Sequence, residues 1–295
     1  MRSPTASGWP STWGTPAPRS GRSVCSTPRM PQLYTGLNSF SMVPSLYGPL
    51  GGSITFAPLD PAYADIDDDG VPDVALGRFP ARTAAELTTM VDKTLAYAGS
   101  PARSAVFASD KNDGIDYAAV NDALAAEMSG WTVRRADVDR HTVSGARAEV
   151  LDALTDGVGL ALYLGHSSAQ EWTVGLFNTT DAAALHGPPT AVAQFGCWNS
   201  YYVSPYVDTL AHALMLNTQG GAAIVMGSVV LTSAATDIDL ATALIAQVKS
   251  GQLTIGEAVL AAKQAVSQNA WGPVLDSELG WTVLGDPAIV VGGAA

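Results

Sequence analysis

Three short apolar runs decide what this chain can become. Ser104–Ser109 (SAVFAS), Val158–Leu164 (VGLALYL) and Ala222–Met226 (AAIVM) show no polar/apolar alternation. A strand with one wet face alternates, whereas a strand without alternation is covered on both faces. Helical patterns lie between and after these runs, at residues 116–128, 144–156, 207–217, 235–249 and 255–269. Further strands are expected at Trp131–Val138, Thr190–Phe195 and, briefly, near 281–284 and 288–292. Thr83-Ala-Ala-Glu86 has capping-box spacing, and Leu87, Met90, Val91 and Leu95 mark the apolar face of the helix it opens. Strands interleaved with helices predict an α/β fold with a mostly parallel sheet.

The front of the chain has a different character. The first acidic residue is Asp60, and before it come Arg2, Arg19, Arg22 and Arg29 among many Pro, Ser, Gly and Thr. Residues 1–35 carry no periodicity and read as disordered or foreign to the fold. They lack the apolar core of a signal peptide. No run of about 18 apolar residues exists, so no membrane span is expected. The net charge of −12 disfavours nucleic acid and anionic lipid as partners.

In an open parallel sheet, chemistry gathers where strands end. Two ends carry reactive groups: Leu162-Tyr-Leu-Gly-His166 and Gln194-Phe-Gly-Cys197. If their strands are neighbours, both side chains emerge at one sheet edge. The chain has two cysteines, Cys25 and Cys197, too few for a disulfide framework. A lone cysteine is often only a small buried hydrophobe. Beside an imidazole it becomes a nucleophile, because the ring can accept its proton or stabilise the thiolate.

The residues around this pair resemble the gingipain-type cysteine peptidases of the caspase-like clan. Gly165-His166-Ser-Ser-Ala-Gln-Glu-Trp172 resembles their Gly-His-Gly-Ser-x-x-x-Trp motif, and Gly196-Cys197-Trp-Asn199-Ser200-Tyr-Tyr202 their Ala-Cys-x-Asn-Gly-x-Phe segment. Leu76-Gly77-Arg78-Phe79 and Trp281-Thr-Val-Leu-Gly285-Asp286-Pro287 resemble two further landmarks, in the same order. The resemblance implies a caspase-like three-layer α/β/α sandwich and peptide hydrolysis through a thioester. It implies Cys197 as nucleophile, His166 as general acid/base, and the N–H groups of Cys197 and Ser167 as oxyanion donors. Asp110 matches the acidic residue that orients the imidazole, although a turn-capping role suits it equally. Asp113 and Asp116 fall where a carboxylate would pair an Arg or Lys before the cut, and Trp172 could line the cleft or fill the core. The same resemblance divides the chain into residues 36–75, the tail of a preceding subdomain, and 76–295, the catalytic domain. It also implies protein or peptide substrates, an extracellular or cell-surface setting, and no cofactor for the chemistry.

Ser167 and Ser200 depart from the family, standing where its motifs have Gly. A serine is acceptable there only at negative φ or where left-handed strain is accepted. This departure sustains a rival reading, a non-catalytic peptide-binding or adhesive module on the same fold. Separately, Asp65-Ile-Asp67-Asp-Asp69-Gly70-Val-Pro-Asp73 has spaced carboxylates suited to a structural Ca²⁺, with Asp65, Asp67, Asp69 and Asp73 as ligands. Leu76 stands where an EF-hand needs Glu, so the loop is no EF-hand, and a solvated acidic turn is the other reading.

Overall fold

A computed structural model describes residues 43–49, 56–67, 69, 71–98, 102–204, 208–267, 277 and 279–293. The segment 1–35, and Cys25 within it, lie outside the described residues.

The central sheet has six strands: β3 (Ser104–Ser109), β4 (Thr132–Asp137), β5 (Leu160–Leu164), β6 (Thr190–Phe195), β7 (Ala222–Ser228) and β8 (Trp281–Leu284). Their order is β4-β3-β5-β6-β7-β8, all parallel except β8, which runs antiparallel to β7. The helices are α1 (Ala84–Ala98), α2 (Tyr117–Glu127), α3 (Val143–Asp156), α4 (Thr179–Ala184), α5 (Leu210–Leu216), α6 (Ala234–Val248) and α7 (Ile255–Ser267).

Why the strands lack alternation is now visible. Val106, Ala108, Ala161 and Tyr163 point into one apolar layer, shared with α1, α3, α4 and α5. Their strand neighbours Ala105, Phe107, Leu160, Leu162 and Leu164 point into a second, shared with α2, α6 and α7. Successive strand side chains alternate between faces, so two covered faces demand apolar residues at every position. The result is the expected three-layer α/β/α sandwich. Among the described residues, no helix is long and apolar enough to cross a membrane.

Two expectations are corrected, and one further element is found. The run near 288–292 contributes no sheet strand; Val290 makes only an isolated bridge to Thr254, where Ile255 N–H donates to the Ile289 carbonyl (2.7 Å). In α1 the buried face is Met90, Lys93, Thr94 and Tyr97, while Val91 and Leu95 face solvent. Lys93 faces inward because its ammonium donates to the Leu214 (2.5 Å), Met215 (3.2 Å) and Asn217 (3.1 Å) carbonyls at the end of α5. These are the unpaired acceptors that a helix leaves at its C-terminus. A short antiparallel hairpin, β1 (Tyr47–Pro49) with β2 (Phe56–Pro58), also escaped the sequence reading, its strands being three residues each in a Gly- and Pro-rich stretch.

Arg78 is one of the side chains that tie the hairpin region to the rest of the fold. Arg78, just before α1, forms a buried two-bond pair with Asp60 through Nε and Nη2. Its Nη1 donates to the Val43 carbonyl (2.8 Å) and Nη2 to that of Pro44 (3.1 Å), and its guanidinium lies 5.2 Å from the Tyr202 ring centroid. Paired charge-assisted bonds of this kind require the planar guanidinium fork. Replacing Arg78 with Met strands the Asp60 carboxylate in an apolar setting, with an expected loss of about 3–5 kcal/mol in urea unfolding. Arg78→Lys is expected to recover only part of that loss.

Candidate active site

Register carries the site. β5 lies between β3 and β6, with Ser109 opposite Leu164 and Leu164 opposite Phe195. The next residues, Asp110, Gly165-His166 and Gly196-Cys197, therefore leave the sheet at one edge. Gly165 sits at φ +147°, and a Cβ there would run into Asp110. A Cβ on Gly196 would strike the Gly165 carbonyl oxygen and Ser167 Oγ. Both positions need glycine for the two loops to lie this close.

His166 is held at several atoms. Asp110 Oδ2 accepts from its backbone N–H (3.1 Å) and contacts ring Nδ1 (2.9 Å). The His166 carbonyl accepts from Tyr163 Oη (2.5 Å) and from Thr173 N–H (3.0 Å). Asp110 is only 2% exposed, so its carboxylate is a fixed partner, while the imidazole side chain is 62% exposed. Nδ1 is thereby set as the proton donor to Asp110. Nε2 lies 3.4 Å from Asp113 Oδ2, so a protonated ring can serve both carboxylates.

Cys197 is a free, partly exposed thiol. Its sulfur accepts from Thr232 N–H (3.4 Å) and lies 3.8 Å from Thr232 Oγ1. No hydrogen bond joins it to His166 in this state, but both line one small pocket with Tyr117, Thr232 and Asp237. Among the described residues, the N–H groups of Cys197 and Ser167 donate to no protein acceptor. Two undonated amides at the strand ends can receive a developing negative oxygen.

The other expected residues fall out differently. Asp116 caps α2, accepting from Ala119 N–H (2.9 Å), and it does not line the pocket. Trp172 is buried, not part of the cleft: its ring stacks on Tyr163 with centroids 4.5 Å apart, and its Nε1 donates to Gln194 Oε1 (2.8 Å). Ser167 and Ser200 both avoid the left-handed region; among described non-glycine residues only Val174 and Trp198 occupy it. The backbone objection raised by those two serines is thus absent. In the acidic loop, one carboxylate oxygen from each of Asp65, Asp67 and Asp73 lies within 4.8 Å of the others. Asp69 is outside that group, and its Oδ1 accepts from Val71 N–H (2.8 Å).

Two pocket residues escaped the sequence reading. Tyr117 meets the His166 ring edge-on at 6.5 Å, and burial, with Asp113 and Asp110 adding to it, pushes its phenol up to about 12. Asp237 follows Cys197 by forty positions, in no motif, and only the pairing of β6 with β7 brings it close. Burial pushes its carboxyl up to about 7, against the pull of the Thr232 hydroxyl, which donates to Oδ2 (2.6 Å).

An α/β/α sandwich with His and Cys on adjacent parallel strand ends is the arrangement expected from the sequence motifs. The sequence matches peptidase family C25 over residues 21–292, and the chain belongs to that family. No curated protein matches it. Among solved structures it is similar to the Arg-specific cysteine proteinase gingipain R, at 18% identity and a TM-score of 0.70, covering 80% of this chain and 60% of that one. The complex of Porphyromonas gingivalis RgpB pro- and mature domains matches at 19% identity and a TM-score of 0.69, covering 79% and 60%. A third structure, described only as a protease, gives 18% identity and a TM-score of 0.66, covering 82% and 61%. The chain thus spans about three fifths of the length of these structures.

Asp237 makes folding depend on pH. Its carboxyl titrates near 3.8 when unfolded and about 7 when folded, so the folded state retains a proton that the unfolded state sheds. Its stabilising effect is complete below pH 4 and lost as pH rises through about 7, on the order of 4 kcal/mol in all. Urea unfolding of wild type and Asp237→Asn across this range should show the difference between them change in that direction.

Proposed function

We propose that this chain is a cysteine endopeptidase acting through Cys197 and His166. The observation that carries this reading is the meeting of the two side chains in one pocket, with the imidazole fixed by Asp110. Nε2 takes the thiol proton and the thiolate attacks the peptide carbonyl. Cys197 and Ser167 N–H groups receive the oxyanion. Collapse breaks the C–N bond, and the imidazolium protonates the leaving amine. Water, deprotonated by the same ring, then hydrolyses the thioester and frees the thiol. Asp110 keeps the ring in the tautomer that leaves Nε2 basic. Protein or peptide chains are the substrates, and an extracellular or cell-surface setting suits the family.

For the residue before the cut, we add Asp237, which lines the pocket, to the Asp113 and Asp116 pair expected from sequence. A carboxylate beside the Tyr117 ring suits the cation of Arg or Lys. For the acidic loop we infer a structural Ca²⁺ held by Asp65, Asp67 and Asp73, since their oxygens already converge and Ca²⁺ accepts carboxylate oxygens in flexible geometry.

Cys197→Ala or His166→Ala should lower peptide hydrolysis by more than about 10³-fold, and Asp110→Asn by about 10- to 100-fold, with folding intact. Retained hydrolysis in Cys197→Ala would overturn the assignment. Preference for Arg or Lys over Leu before the cut, read as a ratio of kcat/KM, should rise about tenfold between about pH 6 and pH 8 as Asp237 ionises. Asp237→Asn should flatten that profile. Calcium should raise the melting temperature and a chelator lower it, with Asp67→Asn insensitive to both; an unchanged wild-type melting temperature removes the ion.

A further inference from the structure

The peptide that follows the nucleophile is held at both of its polar atoms. The Cys197 carbonyl accepts from Ser167 Oγ (2.8 Å), and the Trp198 N–H donates to the Val230 carbonyl (3.0 Å). This peptide leads into Trp198, whose φ of +61° is a left-handed conformation that bulky residues rarely adopt. Such a turn persists only when its surroundings over-determine it.

The Ser167 hydroxyl is itself fixed. It accepts from Asn199 Nδ2 (3.1 Å), which also donates to the Gly196 carbonyl (2.9 Å), while Asn199 Oδ1 accepts from Ser228 N–H (3.0 Å). Asn199 is fully buried, and its backbone carbonyl accepts from Gln194 Nε2 (3.0 Å). One hydroxyl therefore joins the histidine loop to the cysteine loop, and the buried amide behind it belongs to β6 and β7 as well. A glycine, the family's residue at this position, cannot make that link.

From this geometry we infer that Ser167 is a positioning residue: its hydroxyl, set by Asn199, fixes the Cys197–Trp198 peptide plane and with it the direction of the thiol. The inference rests on the peptidase reading above. Its effect belongs to the reacting geometry and not to ground-state binding, so it falls on kcat. A hydroxyl retained on a slightly larger side chain preserves most of it.

Wild type, Ser167→Ala and Ser167→Thr are compared by kcat and KM on a small peptide amide, by the rate of Cys197 alkylation with iodoacetamide, and by melting temperature. Ser167→Ala is expected to lose about tenfold in kcat, with KM within about twofold and the melting temperature nearly unchanged. Alkylation should slow in parallel, and Ser167→Thr should recover most of both rates. Wild-type kcat and alkylation in a folded Ser167→Ala would overturn the inference while leaving the peptidase reading intact. A lowered melting temperature with unchanged kcat would also overturn it, as a purely structural role predicts that pattern. Absence of turnover in wild type would overturn the peptidase reading and this one together.

Discussion

Parallel pairing of β5 between β3 and β6 puts Ser109, Leu164 and Phe195 side by side, and all the chemistry starts one or two residues beyond them. A shift of one residue in either pairing would turn every strand side chain to the opposite layer. Both layers are closely filled, so the register that buries Phe107 and Leu162 on one face and Val106 and Ala161 on the other also delivers Asp110, His166 and Cys197 together. The site inherits its precision from the core.

How far the sequence could be read follows from this dependence. Strands buried on both faces announce themselves as unbroken apolar runs, and α2, α3, α6 and α7 were legible to within a few residues. Motif residues that sit at strand ends, His166 and Cys197, were legible for the same reason. Trp172 was not, since a tryptophan near a reactive histidine looks the same in sequence whether it lines a cleft or stacks on Tyr163. Asp237 was invisible because nothing local marks it; it reaches the pocket only through the neighbouring position of β7. Lys93 broke the helical pattern because its partners, the carbonyls ending α5, lie more than a hundred residues away.

Buried polar groups here are answered with partners in nearly every case described. Arg78 has Asp60 and two carbonyls, Lys93 has three carbonyls, and Gln194 spans Trp172, Asn199 and Ser200. Asp237 differs: a single hydroxyl accompanies it, and its carboxyl faces the pocket. A buried acid with one such partner is costly to ionise, and functional sites are where such costs concentrate.

The Arg78 clasp has a consequence for how the chain is divided. Tyr202, whose ring lies against Arg78 and whose hydroxyl meets Ser45 Oγ at 3.1 Å, stands five positions after Cys197 in the same loop. The hairpin region is thus the outer wall of the turn that carries the thiol. A cut between residues 75 and 76, where sequence motifs suggest a boundary, would separate an arginine from its carboxylate and strip that turn of its backing. Sequence landmarks and packing contacts do not coincide here: the contacts that back the Cys197 turn reach to Val43, Pro44 and Ser45, well upstream of the first recognisable motif.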